Sequence, residues 1–364
     1  MYLGIGLGIT RLSGVLGFNP ASLFANGEEG AWYDPSDLTT LYQDSKGLTP
    51  VTGTGQPVGL MLDKSKGLTL GSEAVTNGTF DTDTDWTKGT GWTISGGVAS
   101  FVATGSQANL TQSCLTIGKT YKISWDQTSS AGSLVIYVGI TAPAGPVSGS
   151  GNKSLIVTAS GNTTLYIQAQ STFTGTIDNF SIRELPGNHA TQSSSTKRPV
   201  LQSSGGLYYL DFDGADDWMR TTFGAAQAQP NTIAAALKFD QGSRNEFVVD
   251  GVSTDRNAIY KTTTDLQLFA GSSITDPSAA GTTELVTLGH LNTTSSELRV
   301  DGSQVVTGDV GSNQWGGITL GADSSDTLWL DGRIYGFVGV NRTLTASEIS
   351  GVESYLAAKS GVTL

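Results

Sequence analysis

An all-β fold of two antiparallel sandwiches is what this 364-residue chain predicts, and three observations carry the prediction. Gly supplies 48 residues and charged side chains only 14%, a balance that suits short strands and turns better than helices. The 37% of hydrophobic residues, with 7 Trp, 11 Tyr and 12 Phe, supplies packed cores and argues against disorder. Apolar residues recur with period two over runs of five or six positions, while a single stretch near the C-terminus carries the signals of a long helix. The length suffices for two or three domains.

Residues 1–26 read as an extended arm. In it Tyr2, Leu3, Ile5, Leu7 and Ile9 are interleaved with glycines, which allow close backbone approach. The arm is either a strand on the chain's own sandwich or an anchor on a partner subunit. No basic residue precedes it and Arg11 interrupts it, so it reads neither as a secretory signal nor as a membrane span. Asn19-Pro20 sets an N-cap and first-turn proline for one or two helical turns over Ala21–Asn26. Asp34-Pro35 is expected to cap a short helix with Leu38, Leu41 and Tyr42 on one face, and Val58–Leu62 to form a short strand.

Between residues 71 and 185 the alternating runs are Trp92–Ile94, Val98–Phe101, Tyr121–Trp125, Leu134–Val138, Leu165–Ala169 and Ile177–Ile182, with Gly96-Gly97 as a hairpin turn. Strands of this length separated by turns predict a sandwich. After residue 186 come Ile233–Phe239, Glu246–Asp250, Ala258–Lys261, Leu266–Ala270 and Glu284–Leu291, then a hairpin with Asp301-Gly302 at its tip. The strand Trp329–Val338 follows. Thr345 and Glu348 form a capping box; Ile349, Val352 and Leu356 make an apolar stripe, and Gly361 stops the helix.

Five separated motifs carry a resemblance. Trp32-Tyr33-Asp34-Pro35-Ser36-Asp37 and Asp63-Lys64-Ser65-Lys66-Gly67 lie upstream; Gly187-Asn188-His189-Ala190-Thr191-Gln192, Arg198-Pro199 and Phe212-Asp213-Gly214-Ala215-Asp216-Asp217 lie downstream. Together with the strand order and the terminal helix, they resemble laminin-G/concanavalin A-like domains of bacteria and phages. The intervening stretch, with Val75–Phe80, Gly118–Tyr121 and Asp178–Ile182, resembles carbohydrate-binding-module jelly rolls. The resemblance implies one lectin-like sandwich (27–70 and 186–364) interrupted by a jelly roll (71–185). It also implies a tailed-phage virion protein of the tail-fibre, receptor-binding or capsid-decoration type. Such proteins assemble with other virion proteins, commonly as homotrimers, and work on an extracellular particle put together in the host cytoplasm.

Charge and residue types narrow the chemistry. A net charge of −12 speaks against nucleic-acid binding. Cys114 is the lone cysteine, and His189 and His290 are the two histidines, which leaves no cysteine-built metal site. Glu297, Glu348 and Glu353 are isolated, with no paired-carboxylate motif for glycoside hydrolysis, and His189 lacks a nucleophile-elbow context, so no catalytic residue is expected. Asp81, Asp83 and Asp85 alternate, but Trp86 and Trp92 stand where an EF-hand needs Gly and Glu. A calcium site built from Asp81 and Asp178 is the expectation set against a solvated acidic turn. Asp213, Asp216 and Asp217 read as a structural turn. Sugar modules stack indoles on pyranose faces, and here Trp86, Trp92 and Trp125 are the candidates, with Asp83 and Asp85 as acceptors for sugar hydroxyls. Three functions follow from this reading: a structural virion component, an adhesin for host-surface polysaccharide, and a polysaccharide-degrading enzyme. The first is favoured.

Overall fold

The computed structural model describes residues 17–140, 145–242, 244–277 and 281–364. The predicted anchor residues Tyr2, Leu3, Ile5, Leu7 and Ile9 lie outside them. The protein is all-β, with four sheets whose strand pairs are antiparallel and one α-helix, Ala346–Ser360, among the described residues. No described helix is long and apolar enough to cross a membrane.

Two nine-stranded sheets are built from strands on both sides of the middle segment. One runs from the edge hairpin Ser296–Val300/Ser303–Gly308 through Glu284–Leu291, Asn231–Phe239 and Asp331–Val340 to Leu207–Asp213, Val200–Ser204 and Gln56–Pro57. Gly30–Tyr33 pairs with Asp331–Val340 in the same sheet. The other joins Leu41–Tyr42, Leu60–Met61 and Ala190–Thr191 to Met219–Gln227 and Trp315–Leu320, and continues to Ser273–Asp276. The strand Asn231–Phe239 shows how the layers stack. Ile233, Ala235 and Leu237 enter the core between the two sheets, whereas Ala234 and Ala236 face the helix residues Val352 and Leu356. Period two thus places alternate residues in two different cores.

The helix forms as its capping box predicts. The Thr345 hydroxyl accepts from the Glu348 amide, Glu348 accepts from Thr345, and Gly361 ends the helix at φ 78. Asp301 and Gly302, at φ 47 and φ 78, make the expected hairpin tip. One local expectation fails. Leu38–Thr40 makes a single 3₁₀ turn, and Leu41–Tyr42 is a strand against Leu60–Met61. The segment is too short to stabilise a helix alone, and sheet pairing wins.

Three of the separated motifs meet at one place. The buried Asp63 carboxylate accepts from the amides of Trp32, Ser65 and Asn188, each at 2.8 Å, and from the Ser65 hydroxyl. Burial nevertheless pushes this carboxyl up to about 6. His189 Nδ1 accepts from the Asp63 amide at 3.0 Å, so its proton sits on Nε2, 3.2 Å from the Leu185 carbonyl. Burial pushes its pKa down to about 4. A side chain at Gly187, φ +125, would meet Asp63 Oδ2 at 3.0 Å. Arg198 donates to the carbonyls of Gln43, Gln192 and Ser193.

The strands from Thr87 to Glu184 make two five-stranded sheets of their own. The core between them holds Phe80, Trp86, Trp92, Phe101, Trp125, Phe173 and Phe180. Ile156 points the other way, joining Leu60, Leu62 and Leu185 in a small apolar contact between the sandwiches. The Gly71 amide donates to the Glu184 carbonyl at 2.9 Å, so the ends of this segment lie side by side. We propose that residues 71–185 fold as an inserted unit. Replacing 72–183 by a short Gly/Ser joint is expected to leave a soluble protein with one cooperative thermal transition, at a lower temperature because Leu60 and Leu62 lose their cover. An insoluble product without a transition overturns this.

Candidate functional site

The outer face of one sheet of the second sandwich presents a pattern that the core does not need. In Ser133–Val138 and Thr164–Ala169, Leu134, Ile136, Leu165 and Ile167 point inward and are buried. Tyr137 and Tyr166 stand out of phase with them and are half-buried. The two are direct cross-strand partners, and Tyr166 is in turn opposite Thr111, which is opposite Thr87. Paired Cβ atoms in such a row stand roughly 5 Å apart. Two positions along, Gln168 lies opposite Asn109.

Two recesses open on this face. One, of about 300 Å³, is lined by Tyr137, Tyr166, Asn109, Asn162, Gln168, Gly139 and Ile140. The other, of about 630 Å³, is lined by Asn109, Thr87, Thr111, Gln107, Lys88 and their neighbours. Neither is lined by a carboxylate. Asn109 belongs to both, and its Oδ1 is buried with no hydrogen-bond partner. A buried acceptor left unpaired costs about 1–3 kcal/mol, which a ligand donor or a water recovers. Phenol rings, amides and hydroxyls without acidic groups form a surface that can stack on the apolar face of a sugar and bond its hydroxyls.

The sequence-predicted residues lie elsewhere. Trp86 is 7% exposed, between Phe80 and Phe180, and its indole N–H donates to the Asn77 carbonyl at 3.0 Å. Trp92 packs on Phe101 and donates to the Ala108 carbonyl. Trp125 is fully buried, stacks on Phe180 and donates to Gln127. Their aromatic neighbours and inward-directed N–H groups make all three core residues, a correction to the stacking platform expected above. The alternation already held the sign: Trp125 is in phase with Tyr121 and Ile123, and Trp92 with Ile94, both buried pairs. The same alternation, read for aromatics out of phase, points to Tyr137 and Tyr166.

Asp83 pairs with Lys88, and Asp85 accepts from the Thr84 hydroxyl at 2.6 Å. Asp81 accepts from the Thr79 hydroxyl, while Asp178 accepts from the Asn179 amide. Among the described residues, the three-carboxylate group with oxygens in mutual reach is Asp213, Asp216 and Asp217, without Asp81 or Asp178. It holds a turn, since Asp213 Oδ1 accepts from the Ala215 and Asp216 amides and Asp217 Oδ2 from the Asp213 amide. Burial, with Asp213 adding to it, pushes the Asp217 carboxyl up to about 7. Cys114 is half-buried, and burial raises its thiol to about 11.

No family model and no curated protein matches the chain. Among solved structures, it is similar to a Trypanosoma rangeli sialidase in complex with the inhibitor DANA, at 12% identity and TM-score 0.34, over 47% of this chain and 30% of that one. Domain 4 of a Geobacillus stearothermophilus arabinanase in complex with arabinotriose matches at 12% identity and TM-score 0.34, over 43% of this chain and 81% of that domain. A structure of botulinum neurotoxin type C, whose cell entry depends on interaction with two ganglioside molecules, matches at 12% identity and TM-score 0.34, over 46% of this chain and 50% of that one. The chain thus spans about a third of the sialidase and half of the toxin chain it matches. Likeness at this level carries no argument about what the chain does.

Proposed function

We propose that the protein is a non-enzymatic carbohydrate-binding protein that holds a glycan on the outer sheet face of its second sandwich. The observation that carries this is the cross-strand pair Tyr137–Tyr166, half-exposed beside the unpaired buried oxygen of Asn109. The virion setting rests on the motif resemblance of the first sandwich, which makes the surface polysaccharide of a bacterial host the ligand class to screen. Tyr166→Ala is expected to weaken binding to that polysaccharide about tenfold, the equivalent of about 1.4 kcal/mol. The melting temperature should stay close to that of the parent protein, because Tyr166 lies outside the sandwich core. Reducing ends of the polysaccharide should not increase on incubation. Unchanged affinity in Tyr166→Ala overturns the site.

A second reading has one observation in its favour: all three candidate indoles are spent on packing. On that reading the sandwiches are structural spacers of a particle. Absence of binding to any host polysaccharide would support it.

A further inference from the structure

The junction between the sandwiches contains a recess of about 390 Å³, within the range of small-ligand sites. One wall comes from the second sandwich, where the Thr120 and Thr158 hydroxyls lie 2.8 Å apart. The opposite wall comes from the first, with Thr191, Trp218, Arg220 and Thr222. In a chain of net charge −12, no carboxylate lines this recess. His189 lines it too, but its Nδ1 accepts from a backbone amide and the ring is neutral. Arg220 is therefore the one cation in the lining.

Arg220 differs from the other described arginines. Arg183, Arg244, Arg256, Arg299, Arg333 and Arg342 each stand within 4.0 Å of a carboxylate. Arg198 is spent on three carbonyls. Arg220 has no such carboxylate; its Nε donates to Thr319 and its Nη2 to the Ser324 carbonyl. Among the described residues no hydrogen bond involves its Nη1. The guanidinium is held 4.7 Å from the Trp218 ring centroid. The acidic groups that act on it at longer range are Asp250, Asp323 and Asp326. Asp250 is already paired with Arg256, Asp326 with Lys197, and Asp323 accepts from Thr327.

A fixed guanidinium with no carboxylate in direct contact can take one, since a charge-assisted hydrogen bond is roughly twice as strong as a neutral one. The surrounding threonine hydroxyls both donate and accept, which suits a polyol. We propose that this cleft is a second binding site, separate from the tyrosine face, for an acidic sugar residue of the uronate class.

The test is calorimetric titration of the full chain with glucuronate, glucose and acetate. Glucuronate is expected to bind, with glucose and acetate each at least about tenfold weaker, a difference of about 1.4 kcal/mol. Ser193, exposed on the rim, allows a charge test that spares the core. Ser193→Asp should lose glucuronate binding and Ser193→Lys should tighten it, with melting temperature and polysaccharide binding at Tyr166 unchanged in both. Arg220→Gln should lose binding as well; its contacts to Thr319 and Ser324 make the Ser193 pair the cleaner comparison. Equal affinity for glucose and glucuronate, equal affinity for acetate, no detectable glucuronate binding, or an unaffected Ser193→Asp each overturns the proposal.

Discussion

Trp86→Ala is expected to lower the stability of the second sandwich by about 3–5 kcal/mol, the usual cost of truncating a buried Trp. The ring centroid of Trp86 lies 5.4 Å from that of Phe80 and 6.0 Å from that of Phe180. Its loss leaves a cavity in the core and takes a donor from the Asn77 carbonyl. Asn77 itself adopts a positive φ of 51, and its side-chain amide holds the carbonyls of Thr82 and Thr84, so the acidic loop loosens with it. Chemical denaturation read by tryptophan fluorescence and circular dichroism measures the cost. A variant that keeps its stability and loses polysaccharide binding would return Trp86 to the role of a binding platform.

The second large effect is expected at Asp34. Its carboxylate is 4% exposed and receives Lys359 at 2.9 Å, Lys64 at 3.2 Å, the Tyr355 hydroxyl at 3.1 Å and the Ser36 hydroxyl at 2.6 Å. It fastens the C-terminal helix to the loop after Gly30–Tyr33. Burial alone would push this carboxyl up; Ser36, Lys359 and Lys64 outweigh it and hold it at about 2. Asp34→Ala strands the half-buried Lys359 ammonium, whereas Lys64 keeps Asp37 at 2.7 Å, and the expected cost is about 3 kcal/mol. The folded pKa lies below the ordinary value of 3.8, so the ionic part of this stability is present above pH 3.8 and is lost as pH falls towards 2. Urea unfolding at pH 7 and pH 2 checks both parts: the gap between parent and variant should narrow in acid. A gap independent of pH would mean that packing, not charge, holds the helix.

Much of this fold was legible because its signals are local. Thr345 and Glu348 close a helix start by themselves, and Asp301-Gly302 closes a hairpin tip by itself. Alternation located many strands of both sandwiches, since a half-buried strand writes its phase into the sequence, but it passed over Ala108–Ser113, Gly151–Thr158, Met219–Gln227 and Trp315–Leu320. Leu38, Leu41 and Tyr42 misled because a helical spacing over five residues is also met by a 3₁₀ turn followed by a strand. The candidate site was less legible. Tryptophan drew attention as a residue type, whereas phase decides which face an aromatic occupies; Trp125 shares its phase with buried Tyr121 and Ile123, and Tyr166 alternates with buried Leu165 and Ile167. The junction cleft was out of reach, because Thr120 and Thr222 become neighbours only through the packing of one sandwich on the other.

The meeting of Asp63 with Asn188 and His189 has a kinetic side. These bonds join positions 125 and 126 residues apart, a long excursion for an unfolded chain to close. Once the middle segment has folded, Gly71 and Glu184 already touch, and the excursion shrinks to the dozen or so residues flanking them. At about 0.6 kcal/mol per halving of a flexible loop, that saves about 2 kcal/mol of search entropy. The order of events is thereby biased. On the proposal that residues 71–185 fold as a unit, the middle of the chain, whose sheets are closed within itself, draws the two halves of the first sandwich together as it forms.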